Sequence, residues 1–231
     1  MTIITGARQT GKTTLLFQIK EYLLKNNVKE SQIKYFNLDL ISNWQHLKFQ
    51  DEFIKYLKEQ ILNEKFIYVF IDEVQKIDNP GVYLKGIYDL NLPIKLVVSG
   101  SYSLEIKSKM FESLTGRKRV FNLWTFSFEE YLSYVFPEVI SLDFNNLSKI
   151  TEDILMQHLY DYMIFGGYPK VVLAESKQEK IKILEEIYSS YIEKDVIGFM
   201  RIKNQISFTK LVSVIASQCG KLVNFKEILQ H

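Results

Sequence analysis

Gly6-Ala7-Arg8-Gln9-Thr10-Gly11-Lys12-Thr13 follows a strand-forming run, Thr2 to Thr5, and leads directly into a stretch with helical periodicity, Lys12 to Lys25. The pattern G-x-x-x-x-G-K-[ST] between a strand and a helix confines the chain to folds that deliver a glycine loop to a helix N-terminus at a sheet edge. Gly6 and Gly11 let the backbone amides curl around phosphate oxygens, and the helix aims its positive end at them. Lys12 then reaches the β and γ phosphates, and Thr13 ligates Mg2+. The expected nucleotide-binding set is Gly6, Ala7, Arg8, Gln9, Thr10, Gly11, Lys12, Thr13 and Thr14.

The rest of the first half supplies the matching sheet. Leu15, Leu16, Ile19, Tyr22 and Leu23 fall at the three-and-four spacing of an amphipathic helix, and Ile33 to Leu38 reads as a second strand. Phe53 to Leu62 is a helix by period, Phe66 to Ile71 an almost wholly apolar strand, Val82 to Leu90 a short helix, and Ile94 to Val98 and Val120 to Trp124 two more strands. Uniformly apolar strands are those covered on both faces in a parallel sheet. Strands alternating with helical crossovers predict an α/β P-loop NTPase with a five-stranded parallel sheet. After Phe126 the pattern turns helical over Glu129 to Val135, Asp153 to Phe165, Lys177 to Ile197 and Phe208 to Gln218. The polar stretch Pro137 to Lys149 marks the boundary between a core of residues 1–136 and an all-helical region of residues 137–231.

The apolar strand ending at Ile71 is followed by Asp72-Glu73. Beside a phosphate loop, such a pair is the second half of a hydrolysing site: Asp72 holds the magnesium and Glu73 activates the attacking water. No Asn-Lys-x-Asp element for guanine is present, which favours adenine and so ATP. The strand Ile94 to Val98 runs into Ser99-Gly100-Ser101-Tyr102-Ser103. Ser99 and Ser101 are candidates to sense the γ phosphate or hold the attacking water, with an ordinary loop and a helix cap at Ser101 or Ser103 as the alternative. Arg117, in Leu114-Thr115-Gly116-Arg117-Lys118-Arg119, either neutralises transition-state charge or belongs to a solvated basic turn. In the first role it acts in its own subunit or in a neighbour's, and the second case requires a homo-oligomer.

Composition removes several other classes. The 231 residues are 47% hydrophobic, enough for a sizeable buried core. Basic and acidic residues number 29 and 27, a formal charge of +2, which gives no general nucleic-acid or membrane footprint. The single cysteine, Cys219, precludes an internal disulfide, and His46, His158 and His231 lack metal-ligand spacing. No apolar run approaches 18 residues and no signal-peptide pattern opens the chain, so the expectation is a cytoplasmic protein without membrane contact.

An ordered set of segments carries a resemblance. Gly6 to Leu16, Ile71-Asp72-Glu73-Val74-Gln75, Ser99-Gly100-Ser101, Leu114 to Arg117, Phe126-Ser127-Phe128-Glu129-Glu130-Tyr131, Gly166-Gly167-Tyr168-Pro169 and Tyr191-Ile192-Glu193-Lys194-Asp195-Val196 resemble the prokaryotic AAA-type ATPases that carry a C-terminal domain of unknown function 4143. The resemblance implies an AAA-superfamily ATP-binding core, then helices, then the start of a winged helix. Members of that family extend further at both ends, so the chain reads as trimmed. Phe208 to Gln218 and Val223 to Leu229 look like two helices of a helix-turn-helix whose recognition helix is missing. DNA binding is therefore open for a longer protein and not expected of this fragment alone. Gly166 to Pro169 reads as a structural turn, and Glu193-Lys194-Asp195 as a solvated or salt-bridged helix face. Together the residues point to Mg2+-dependent hydrolysis of ATP to ADP and phosphate, driving a regulatory switch or the remodelling of an unidentified macromolecular partner. The alternatives are an ATP-dependent motor or loader on DNA, and a fragment that binds nucleotide without turnover.

Overall fold

The computed structural model of the chain describes residues 1–101, 114–192 and 204–218. Five strands form one wholly parallel sheet: β1 (Thr2–Gly6), β2 (Ile33–Asn37), β3 (Ile67–Asp72), β4 (Ile94–Ser101) and β5 (Arg119–Leu123). Their spatial order is β2-β3-β4-β1-β5. In the first half the helices are α1 (Lys12–Lys25), α2 (Ile41–Leu47), α3 (Gln50–Glu64) and α4 (Pro80–Asp89). The expected α/β class and parallel sheet are present. Helix α2 was not anticipated, because seven residues are too few to establish a period.

Alternation along each strand sorts its side chains to the two faces of the sheet. Ile3, Val69, Ile71, Leu96 and Val98 join Phe53, Leu57, Leu84 and Ile87 in one buried cluster, so α3 and α4 cover that face. Ile4, Phe70 and Val97, one residue out of step, pack with Leu16 of α1 in the other. This double covering explains why β3 carries no polar residue between Ile67 and Ile71 except the half-buried Tyr68. Strand β5 lies at the edge, and its first four residues are exposed.

Downstream lie α5 (Phe128–Val135), α6 (Lys149–Phe165), α7 (Pro169–Leu173), α8 (Lys177–Tyr191) and α9 (Gln205–Ser217). Ser127 caps α5 in a reciprocal box with Glu130, as an S-x-x-E sequence ahead of an apolar helix dictates. Tyr131, Leu132, Val139 and Val172 form a third buried cluster, with Phe126 and Tyr162 packed against it. The chain divides into two compact units, Met1–Leu184 and Glu185–His231. The first therefore includes the Gly166 to Pro169 turn together with the sheet. Tyr102, Ser103, Glu193-Lys194-Asp195, Cys219, the helix expected at Val223 to Leu229 and His231 lie outside the described residues.

Candidate nucleotide-binding and hydrolysis site

The strand order determines what meets at the carboxyl edge. β4 lies between β1 and β3, with Ser99 beside Ile4 and Ser101 beside Gly6, while Ile71 pairs with Val98. The loop after β1 and the acidic pair after β3 therefore open onto one crevice with the end of β4 between them, the usual ligand position in an open α/β sheet.

Gly6 has no room for a side chain, because an added Cβ would sit 2.3 Å from the Leu123 carbonyl oxygen. Gly11 has φ +94° and serves as the N-cap of α1. No acidic residue occupies the first turn of α1, so its positive end is left for an anion. Thr10 ties the loop to itself, donating its hydroxyl to the Ala7 carbonyl at 2.9 Å. Lys12, 5% exposed, folds its ammonium over the loop and donates to the carbonyls of Gly6 at 3.1 Å and Ala7 at 2.8 Å. Arg8 is half-buried and Thr14 exposed. Gln9 adopts φ +61°, and its buried amide oxygen meets no donor among the described residues.

Asp72 is 1% exposed and gathers hydroxyl donors. Thr13 donates to Oδ2 at 2.6 Å, Tyr35 donates to the same oxygen at 3.1 Å, and Ser99 donates to Oδ1. The Glu73 amide also reaches Oδ1, at 3.2 Å. Burial, with Asp72 beside it, raises the Tyr35 hydroxyl well above its ordinary range, so it remains a donor. Glu73 sits in the left-handed region, φ 61° and ψ 43°, at the turn from β3 into the 3-10 turn Val74–Lys76. Gln75 Nε2 donates to Glu73 Oε2. Burial raises the Glu73 carboxyl above its ordinary value, against the opposing pull of Lys12 and Gln75.

Most of the candidates thus converge: Gly6, Gly11, Lys12, Thr13, Asp72, Glu73, Ser99 and Ser101 line the carboxyl edge. Two positions depart from expectation. Ser99 gives its hydroxyl to Asp72, so it supports the carboxylate, and Ser101 closes β4 as a buried strand residue, not as a helix cap. Arg117 stands at the opposite edge, where its carbonyl accepts from the Met1 amine at 3.2 Å and its guanidinium pairs with Asp89 at 2.6 Å. The five-residue length of β1, roughly 15 Å, separates it from the loop of its own chain, which removes the same-subunit role.

Three contributors escaped the sequence reading. Tyr35 is a mid-strand tyrosine that nothing local marks, and Gln75 was quoted only as part of the resemblance. The third is the Gly166 to Pro169 turn, whose Pro169 ring lies 3.9 Å from where a Cβ on Gly11 would be. Gly167 has no space either: a Cβ there would fall 2.1 Å from the Phe126 carbonyl oxygen. Its own carbonyl accepts from the Phe126 amide at 2.8 Å, and Tyr162 donates its hydroxyl to the Phe126 carbonyl at 2.8 Å.

The donor set suits magnesium. Thr13 and Asp72 offer one hydroxyl and one carboxylate, hard oxygens that leave the remaining positions to phosphate and water. Among the described residues no cluster of three or more His, Cys, Asp or Glu side chains could hold a different ion, and no helix is long and apolar enough to cross a membrane.

Comparison with known proteins gives a consistent family. An uncharacterized protein of Haemophilus influenzae is 23% identical over 227 residues, covering 98% of this chain and 53% of that protein. An uncharacterized protein of Methanocaldococcus jannaschii is 25% identical over 238 residues, covering 98% and 48%. The chain spans about half the length of these curated relatives. Among solved structures, the Saccharomyces cerevisiae Hsp104-ADP complex aligns with a TM-score of 0.49 at 14% identity, over 92% of this chain and 32% of that one. AMPPCP-bound DnaA from Aquifex aeolicus aligns at 0.41 and 12%, over 84% and 61%. Residues 156–231 match a family described as Domain of unknown function (DUF8612), where the sequence resemblance had pointed to domain 4143. Residues 1–132, more than half of the chain, match the family described as AAA domain, and the protein belongs to that family.

Proposed function

We propose that the chain binds ATP with Mg2+ at the carboxyl edge of its sheet and hydrolyses it to ADP and phosphate. The observation that carries this reading is the Thr13 hydroxyl donating at 2.6 Å to Asp72, because it joins the phosphate loop to the acidic strand. Gly6 to Thr14 form the phosphate cradle, and the Lys12 ammonium exchanges the loop carbonyls for β and γ phosphate oxygens. Thr13 and Asp72 hold the metal, with Ser99 and Tyr35 fixing the rotamer of Asp72. Magnesium, when bound, neutralises phosphate charge and orients the terminal phosphoryl group. Glu73 takes a proton from water as general base, a task for which a carboxyl raised by burial is better matched than an ordinary one.

The output assigned to turnover is a nucleotide-dependent switch or the remodelling of a macromolecular partner. A homo-oligomer is part of the proposal, since Arg117 faces away from its own loop and is available to a neighbour's. Two variants test the core of the reading. Lys12→Ala is expected to weaken ATP binding, and unchanged affinity would remove the loop assignment. Glu73→Gln is expected to keep Mg-ATP affinity while turnover falls by about 100-fold or more. A Glu73→Gln protein as active as its parent refutes the base assignment.

A further inference from the structure

We propose that Gln75 is a second acceptor for the attacking water, so that Glu73 and Gln75 together form the cradle from which water is delivered to the γ phosphorus. The inference rests on the assignment of Glu73 as general base. It starts from the backbone: Glu73 is left-handed, and the 3-10 turn that follows is closed by the Lys76 amide donating to the Glu73 carbonyl at 3.0 Å. That tight turn folds residue 75 back onto residue 73, where Gln75 Nε2 donates to Glu73 Oε2.

The orientation of the amide follows from the partner. An ionised carboxylate only accepts, so the NH2 group of Gln75 must face Glu73 and Oε1 must face elsewhere. That oxygen is buried and has no hydrogen-bond donor among the described residues. Buried amide oxygens are seldom left without a donor, and one held beside a general base has a function that matches.

The chemistry calls for such an acceptor. An attacking water must point a lone pair at phosphorus, so both of its O–H bonds must be engaged elsewhere. Glu73 takes one and Gln75 Oε1 takes the other. As the water oxygen bonds to the γ phosphorus, the bond from that phosphorus to the β,γ-bridging oxygen breaks and ADP leaves with the electron pair. The transferred proton rests on Glu73 and returns to the phosphate product, while the hydrogen facing Gln75 stays on the transferred oxygen. A side chain that merely braced the turn would need only the Nε2 contact.

The test compares Gln75→Leu, Glu73→Gln and the double variant for turnover, for affinity toward a non-hydrolysable Mg-ATP analogue, and for thermal midpoint. Gln75→Leu is expected to lower kcat about 10- to 100-fold with analogue affinity within about twofold of the parent. The double variant should be no slower than Glu73→Gln alone, because the two residues hold one water. A Gln75→Leu protein that turns over like the parent overturns the proposal, as does a loss that multiplies with that of Glu73→Gln. Parent-like turnover in Glu73→Gln overturns the base assignment and this proposal together, whereas an inactive Glu73→Gln beside a fully active Gln75→Leu overturns this proposal alone. If the parent turns over too slowly to compare, trapping with Mg-ADP and aluminium fluoride decides. Gln75→Leu should bind Mg-ADP as the parent does but fail to retain the fluoride complex, and equal retention overturns the assignment.

Discussion

Gly167→Ala perturbs the contact between the second half of the chain and the phosphate loop without touching a catalytic group. The added methyl would sit 2.1 Å from the Phe126 carbonyl oxygen and 3.0 Å from its carbon, both backbone atoms with no rotamer to change. Restoring even the 3.0 Å that real Cβ atoms keep requires a shift of about 0.9 Å between two close-packed segments. Overpacking of that kind costs about 1–3 kcal/mol. The shift also breaks the 2.8 Å bond from the Phe126 amide to Gly167 and strains the 2.8 Å bond from Tyr162 to Phe126, each worth about 1 kcal/mol net. Together the loss is about 2–4 kcal/mol, or roughly 4–16 °C in thermal midpoint for a unit of this size. The assay is circular-dichroism melting with and without Mg-ATP, alongside Gly116→Ala as a control. Gly116 also has positive φ but no atom within 4 Å of its Cβ position, so its cost is limited to about 1 kcal/mol of backbone strain. Because Pro169 touches the loop at Gly11, Gly167→Ala should also weaken nucleotide binding, and Gly116→Ala should not. A Gly167→Ala midpoint within about 2 °C of the parent would refute the reasoning.

Two further outcomes follow from the site. Glu73 has a folded-state pKa raised above its unfolded value of 4.5, so the folded protein holds the extra proton in that window and stability falls as pH rises through it. Glu73→Gln should therefore melt higher than the parent at pH 8 and equal to it at pH 4, and a gap that shrinks as pH rises contradicts the assigned cause. Arg117→Ala should bind ATP normally and turn over slowly, and mixing it with Glu73→Gln should restore activity as intact sites form between unlike subunits. Failure to complement, with oligomers present, removes the role in a neighbour's site.

The sheet was legible because its strands are apolar at nearly every position and the glycine loop falls between β1 and α1. The loop and the acidic pair were legible for a related reason, since each is a local pattern whose chemistry depends on sequence spacing. Tyr35 was not: it reaches Asp72 only because β2 and β3 are neighbours in register, and strand adjacency leaves no local trace. Arg117 illustrates the converse. A basic residue just before a strand resembles a basic residue just after one, yet in a parallel sheet the two lie at opposite edges. Gln75 and Pro169 depend on a tight turn and on a contact across about 160 residues, and neither geometry is written in composition or period.

The strand order also sets a timetable for biosynthesis. β1 bonds only to β4 and β5, so it leaves the ribosome well before either neighbour exists. At ordinary synthesis rates β1 waits on the order of ten seconds for β5, with Ile3 and Ile4 unpaired meanwhile. The phosphate loop waits longer, because the Pro169 ring that lies against Gly11 arrives only with α7. Nucleotide is thus a ligand of the finished unit and not of the nascent chain, and a stall between β5 and α7 would leave a complete sheet whose loop lacks its downstream support.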